Sequence, residues 1–141
     1  MILSPTVHFP INETVFGLIA LTKVLLSHLK EQKGGIINIA SISADNGYPF
    51  HSAYSSTKSA VMTITEALNI ELAPAKVYAK AVLPGFIATE IFTKIEGSGE
   101  FPPPYQALWR QFVEQQDHVK GFHPMLVARS VYEAATDGKF D

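Results

Sequence analysis

The spacing with most chemical promise is Tyr54-Ser55-Ser56-Thr57-Lys58. On a helix, Tyr and Lys four residues apart lie about 6 Å apart along the axis and share one face. An ammonium near a phenol favours the phenolate. It draws the phenol pKa down from about 10 toward the working range of a general acid or base. Ser41 brings a further hydroxyl upstream of this pair, and Pro84-Gly85 brings a tight turn downstream. Each feature alone has an ordinary reading. A Tyr-x-x-x-Lys pair occurs on solvated helix surfaces, a serine at a strand end caps backbone groups, and Pro-Gly makes turns. The information lies in their order and spacing.

Those residues need elements to position them. Met1–Pro10 is short, apolar and interrupted by Pro5 and Pro10, so it reads as an irregular lead-in. A helix is predicted from Asn12 onward, with Val15, Leu18, Leu25, Leu26 and Leu29 on one face. Phe16, Ile19, Leu21 and Val24 spread apolar character around that cylinder. A helix apolar on more than one side is buried on more than one side, for example by a sheet and by a second subunit. Gly34-Gly35 is predicted to stop it. Residues 35–40 read as a buried strand. A second helix is predicted over about 52–73, with the stripe Val61, Ile64, Leu68 and Leu72, ended by Pro74. Residues 77–83 form a second strand, stopped by Pro84-Gly85. An excursion follows from Phe86 to Gly121, with a helix over about 105–117. A last helix starts at Pro124 and ends at Asp137-Gly138, a left-handed cap.

Strand, crossover helix and strand make a parallel unit with a right-handed connection. Parallel sheets are covered on both faces and need several strands. The expected architecture is therefore α/β: part of a doubly wound, Rossmann-like parallel sheet. Its further strands lie upstream, downstream or in another chain. Residues 1–141 read as one partial domain, with 90–121 as an excursion over the sheet edge. Ligands bind at the carboxyl ends of strands in such sheets. Ser41, the start of the Tyr54 helix and the Pro84-Gly85 loop are thus expected to converge there.

The bulk composition narrows the field. The 141 residues carry 11 Lys+Arg against 13 Asp+Glu, and the formal charge of −2 gives no reason to expect a nucleic acid or an anionic membrane. At 47% hydrophobic and 17% charged, the chain is that of a packed protein. It has no cysteine, which excludes disulfide scaffolds, thiolate metal sites and cysteine nucleophiles. The longest apolar stretch, Val15–Leu29, contains Lys23 and His28 and is too short to span a bilayer. No signal peptide is visible, and a cytoplasmic location is expected.

The stretches Gly-Gly-Ile-Ile-Asn-Ile-Ala-Ser (34–41), Ala-Tyr-Ser-Ser-Thr-Lys-Ser-Ala (53–60) and Leu-Pro-Gly-Phe-Ile-Ala-Thr (83–89) resemble the short-chain dehydrogenases/reductases. The resemblance is strongest from about Phe16 to Glu90. It implies an NAD- or NADP-dependent oxidoreductase that interconverts a carbonyl and an alcohol, with NADP slightly preferred. It implies Tyr54 as the acid/base and Lys58 as the residue that lowers the Tyr pKa and binds the nicotinamide ribose. Ser41 matches the donor that holds the substrate oxygen. Pro84, Gly85, Ile87 and Thr89 match the loop that holds the nicotinamide. The resemblance also implies a small-molecule substrate and a homo-oligomer.

Two departures accompany it. The family's Gly-rich phosphate loop is absent, because no G-x-G-x-x-G follows a strand here; Gly97-Ser98-Gly99 lacks the third glycine. The family's usual Asn in the first of these helices aligns with Thr14, while Asn12 is two residues away on another face. The chain is accordingly expected to match the C-terminal half to two-thirds of a family member. The alternative expectation is a catalytically inactive remnant that acts as an interaction module.

Other chemistries find less support. Ser55-Ser56-Thr57-Lys58 fits S-x-x-K, the nucleophile motif of penicillin-recognising enzymes, but the accompanying S-D-N and K-T-G are missing. His8, His28, His51, His118 and His123 show no metal-ligand spacing, so no metal is expected. Of these, His51 is placed to line the mouth of the site. Phe86, Phe92, Tyr105, Trp109 and Phe112 fall in the excursion, which forms a lid over the substrate in the resembled family. They suit either an apolar substrate or simple packing of the lid.

Overall fold

A computed structural model describes residues 11–90, 102–117 and 121–138. The lead-in Met1–Pro10, Phe92, Gly97-Ser98-Gly99, His8 and His118 lie outside the described residues. Among the described residues the first element is a π-helical turn, Asn12–Phe16, that runs directly into helix α1, Gly17–Gln32. Strand β1 is Gly35–Ile39, helix α2 is Ser52–Leu72 and strand β2 is Tyr78–Val82. Helix α3 is Pro103–Asp117 and helix α4 is Pro124–Thr136. Every element expected from the sequence is present, in the expected order.

The helix ends show how the sequence sets the boundaries. The stop after α1 is not made by glycine. Lys33 takes the left-handed conformation (φ 52°), and the Gly34 N–H donates to the Leu29 carbonyl at 2.9 Å. A non-glycine residue there costs about 1 kcal/mol or more. Pro74 ends α2 inside a 3₁₀ turn, Ala73–Ala75, and Lys76 is left-handed at φ 57°. At the other end of the chain Pro124 opens α4, and Gly138 follows it at φ 68°, as expected.

The two strands pair in parallel, in the register Gly35↔Tyr78 to Ile39↔Val82. The hydrogen bonding continues past their ends. The Ala40 N–H donates to the Val82 carbonyl at 2.8 Å, and the Ile42 N–H to the Pro84 carbonyl at 3.1 Å. The strands are thus slightly shorter than expected, yet the pairing reaches the expected lengths.

Side chains alternate across a sheet, which assigns its two faces. The α2 face carries Asn38, whose Nδ2 donates to Thr65 Oγ1 at 2.8 Å, and the Thr65 hydroxyl donates to the Val61 carbonyl at 2.6 Å. Val61, Thr65 and Val77 are essentially inaccessible there, with Leu72 and Ala79 beside them. The opposite face carries Tyr78 and Lys80, which reach α4. Tyr78 donates its hydroxyl to the Ala135 carbonyl at 3.1 Å, and Lys80 pairs with Asp137 at 2.5 Å. The Tyr78 ring lies over Gly35 so closely that a Cβ at position 35 would fall inside it.

In a parallel ladder, alternate residues turn their N–H and C=O away from the partner strand. Ile39 and Ala79 are such residues. Both are served by α2: Lys58 Nζ donates to the Ile39 carbonyl at 2.9 Å, and Asn69 Oδ1 accepts from the Ala79 N–H at 3.0 Å. One helix therefore satisfies backbone groups on the outer edges of both strands.

Helix α1 contributes much less to the core, with no buried residue. Leu18, Leu25 and Leu29 face Ile36 and Asn38 across an open groove. Leu21, on the rim of that groove, is 60% exposed, and Val24, outside it, is 79% exposed. Among the described residues no helix is long and apolar enough to cross a membrane.

Candidate active site

The site is assembled where both strands end. Ser41 follows β1 and is buried. Its neighbours Ala40 and Ile42 are the residues bonded to Val82 and Pro84, which fixes Ser41 beside the Pro84-Gly85 turn. The Ser41 hydroxyl accepts from the Ser43 N–H at 3.1 Å and caps a 3₁₀ turn, Ile42–Ala44. Accepting uses a lone pair and leaves the hydroxyl proton to donate elsewhere. Gly85 lies in ordinary contact with Ile42, 3.7 Å from a Cβ built on its backbone to Ile42 Cδ1.

Helix α2 brings Tyr54 and Lys58 to the same region. Ser59 donates to the Ala44 carbonyl at 2.5 Å, clamping the second turn of α2 onto the loop that carries Ser41. Lys58 lies half-buried, its Nζ 5.8 Å from the Tyr54 ring centroid while it holds the Ile39 carbonyl. Loss of water around the ammonium lowers the Lys58 pKa from its ordinary value. Thr57 and Ser56 return their hydroxyls to the Tyr54 and Ala53 carbonyls of their own helix, both at 2.8 Å. The Ser55 hydroxyl is buried and has no partner among the described residues. Lys58 bonds Ile39 rather than Ser55, so the S-x-x-K pairing is not formed.

The loop after Pro84-Gly85 is held by a parallel bridge between Ile87 and Phe122. The Phe122 N–H donates to the Phe86 carbonyl and the Ala88 N–H to the Phe122 carbonyl, at 2.8 and 2.9 Å. That pattern turns the Ile87 N–H away from Phe122. Thr89, exposed, donates its N–H to the Ile87 carbonyl at 2.8 Å. Gly121 is required at this bridge, because a Cβ there would lie 2.6 Å from the Ala88 nitrogen.

The excursion returns over this edge through rings. Phe50 and Trp109 meet edge to face at 5.2 Å, and Trp109 stacks with Phe112 at 5.9 Å. His51, half-buried immediately before α2, packs its ring 5.2 Å from Phe112. Phe50 holds a left-handed backbone, φ 64°, that sequence reasoning missed. No glycine or asparagine marks the position, so no local signal announces it. Among the described residues no cluster of His, Asp and Glu is arranged for a metal ion.

A parallel β-α-β unit with polar side chains gathered at its carboxyl edge defines a doubly wound α/β protein. The chain belongs to the short-chain dehydrogenases, whose family model, described as short chain dehydrogenase, matches residues 7–98. It is 33% identical over 134 residues to an uncharacterized oxidoreductase of Schizosaccharomyces pombe, covering 93% of this chain and 56% of that protein. Among solved structures, it resembles a short-chain dehydrogenase from Streptomyces avermitilis, with a TM-score of 0.75 and 30% identity over 93% of this chain and 49% of that one. It also resembles ElxO with NADP bound, with a TM-score of 0.70 and 30% identity over 96% of this chain and 54% of that one. The chain spans about half the length of these relatives.

Proposed function

We propose that this chain is the catalytic portion of an NAD(P)-dependent oxidoreductase interconverting a carbonyl and an alcohol. One observation carries the reading: the half-buried Lys58 ammonium lies beside the Tyr54 ring, on the helix clamped to the Ser41 loop. In the reducing direction Tyr54 gives its phenolic proton to the substrate oxygen. The charge left on the phenol is stabilised by the Lys58 ammonium. Ser41 donates its hydroxyl proton as a hydrogen bond to the same oxygen and holds it. Bound nicotinamide supplies or accepts the hydride at the carbon.

The residues present fit the nicotinamide end of such a cofactor. Lys58 offers N–H donors to a ribose. Ile87 turns an N–H away from its bridge, and Thr89 stands exposed beside it, a pairing suited to a carboxamide. Pro84 and Gly85 shape the turn that leads to them. NADP is favoured over NAD only by solved neighbours with NADP or NADPH bound. The apolar residue that α1 carries outside that groove, Val24, is exposed and supports a homo-oligomer.

A second reading, an interaction module without catalysis, is favoured by one observation: α1 buries none of its residues in this chain. Titration with NADH and NADPH, read by fluorescence beside a thermal melt, separates the two. Saturable binding with a raised Tm is expected. Absence of binding by either cofactor overturns the catalytic reading for this chain and leaves the second one.

A further inference from the structure

The four rings gathered at the start of the helix that carries Tyr54 have properties that lid packing alone does not require. Phe50, His51, Trp109 and Phe112 are all half-buried, so each keeps part of its surface uncovered. They come from two segments only. Phe50 and His51 lead into α2 just ahead of Tyr54, and Trp109 and Phe112 are one turn apart on α3. His51 is the N-cap residue of α2, one helical turn before Tyr54, which puts its ring on the Tyr54 side of the helix. Its Nδ1 lies 3.0 Å from the Pro49 carbonyl and donates to it. In the neutral ring that leaves Nε2 as an acceptor, and the ring lies against Phe112 as one more flat surface. Phe50 is held in the left-handed region, where a bulky residue is an outlier. Strain of this kind persists where the surrounding structure fixes it and gathers at ligand sites.

We propose that Phe50, His51, Trp109 and Phe112 form a wall that recognises an aryl group, so that the preferred substrate carries an aromatic ring on its carbinol or carbonyl carbon. The inference rests on the carbonyl/alcohol reading and names its substrate class. Aromatic faces and edges carry opposite partial charge, so an aryl ring gains from edge-to-face contacts that a saturated ring of the same size cannot make. The wall already shows both arrangements, Phe50 on Trp109 at 87° and Trp109 on Phe112 at 28°. An aryl group entering beside Phe112 extends the series. The reacting carbon is then left on the Tyr54 side.

The test uses this chain and its own reporter, because Trp109 is the single tryptophan. Trp109 emission is followed during titration with 1-phenylethanol and, separately, with 1-cyclohexylethanol, which has the same skeleton without the aromatic face. A saturable change is expected, with half-saturation about three- to tenfold lower for the phenyl alcohol. Phe112→Leu and Phe50→Leu should each abolish that preference while circular dichroism shows unchanged helix content. Equal half-saturation for the two alcohols, or no change in emission with either, overturns the proposal. So does a preference that survives both substitutions. The readout needs neither cofactor nor turnover. Aryl preference without cofactor binding would therefore count against the carbonyl/alcohol reading alone, and cofactor binding without aryl preference against the wall alone.

Discussion

The Lys58 ammonium donates to the backbone carbonyl of Ile39 at 2.9 Å. Ile39 turns that carbonyl away from β2, where no strand among the described residues meets it. A side chain proposed for catalysis thereby also completes the hydrogen bonding of a strand. The same contact fixes where the ammonium sits relative to the Tyr54 ring, 5.8 Å away.

This double duty separates two substitutions. Tyr54→Phe should lower turnover by roughly a hundredfold or more, the usual contribution of a positioned proton donor. It should leave NADPH affinity nearly unchanged. Lys58→Ala should weaken both, and it should also lower the urea midpoint because the Ile39 carbonyl loses its donor. Steady-state rates and cofactor titrations on the two variants read the difference. Full turnover in Tyr54→Phe would remove Tyr54 from the mechanism.

The state of Lys58 also gives stability a pH dependence. Burial holds its pKa below the ordinary value of 10.5, so the unfolded chain keeps this proton to higher pH than the folded one. Where the unfolded state binds more protons, stability rises with pH. The gain falls between the lowered value and 10.5, and it is absent below that window. Urea midpoints measured from pH 7 upward should therefore rise for the natural chain relative to Lys58→Met. Parallel curves for the two would show that Lys58 titrates alike in both states.

Thr65 is another place, besides Lys58 and Asn69, where a hydrogen bond ties α2 to the sheet. Its hydroxyl is buried, accepts from Asn38 and donates to Val61. Thr65→Val should cost about 1–3 kcal/mol, because the Asn38 amide is left without that acceptor. Adding Asn38→Leu should return part of the loss. Chemical denaturation of the single and double variants checks both, and a double variant less stable than Thr65→Val would contradict the account.

Phe50 allows backbone strain to be measured apart from ring contacts. Phe50→Ala and Phe50→Gly both remove the ring, but only glycine is comfortable at φ 64°. The glycine variant should be the more stable of the two by about 1 kcal/mol. Equal thermal midpoints would mean that the loop relaxes once the ring is gone. Both variants should shift Trp109 emission to the red as the indole loses its neighbour.

Much of this arrangement was legible in the sequence. The Tyr54–Lys58 spacing, the strand-end Ser41 and the Pro84-Gly85 turn led to one edge of a parallel pair because side-chain period and punctuation are local signals. The helix starting at Pro124 and the left-handed Gly138 were legible for the same reason. Three features were not. Lys33 displaced the glycines as the left-handed residue, since Gly34 is used to bond Leu29 and Gly35 to admit Tyr78. Phe50 took a glycine-like conformation with no glycine to announce it. The bond from Lys58 to Ile39 spans nineteen positions and depends on which way a carbonyl faces, which no spacing rule contains.

Tyr78 and Gly35 pair across the strands, and the tyrosine ring occupies the space a side chain at 35 would fill. Its hydroxyl is anchored on Ala135, so the ring has little freedom to swing aside. Positions 35 and 78 are therefore not independent letters. A methyl group at 35 is admissible only once the ring at 78 has gone, and losing that ring also leaves α4 without the Tyr78–Ala135 tie, with Lys80–Asp137 still holding its end. A relative that puts a larger residue at 35 should have lost the ring at 78, and should lean on its counterpart of the Lys80–Asp137 pair to hold its last helix.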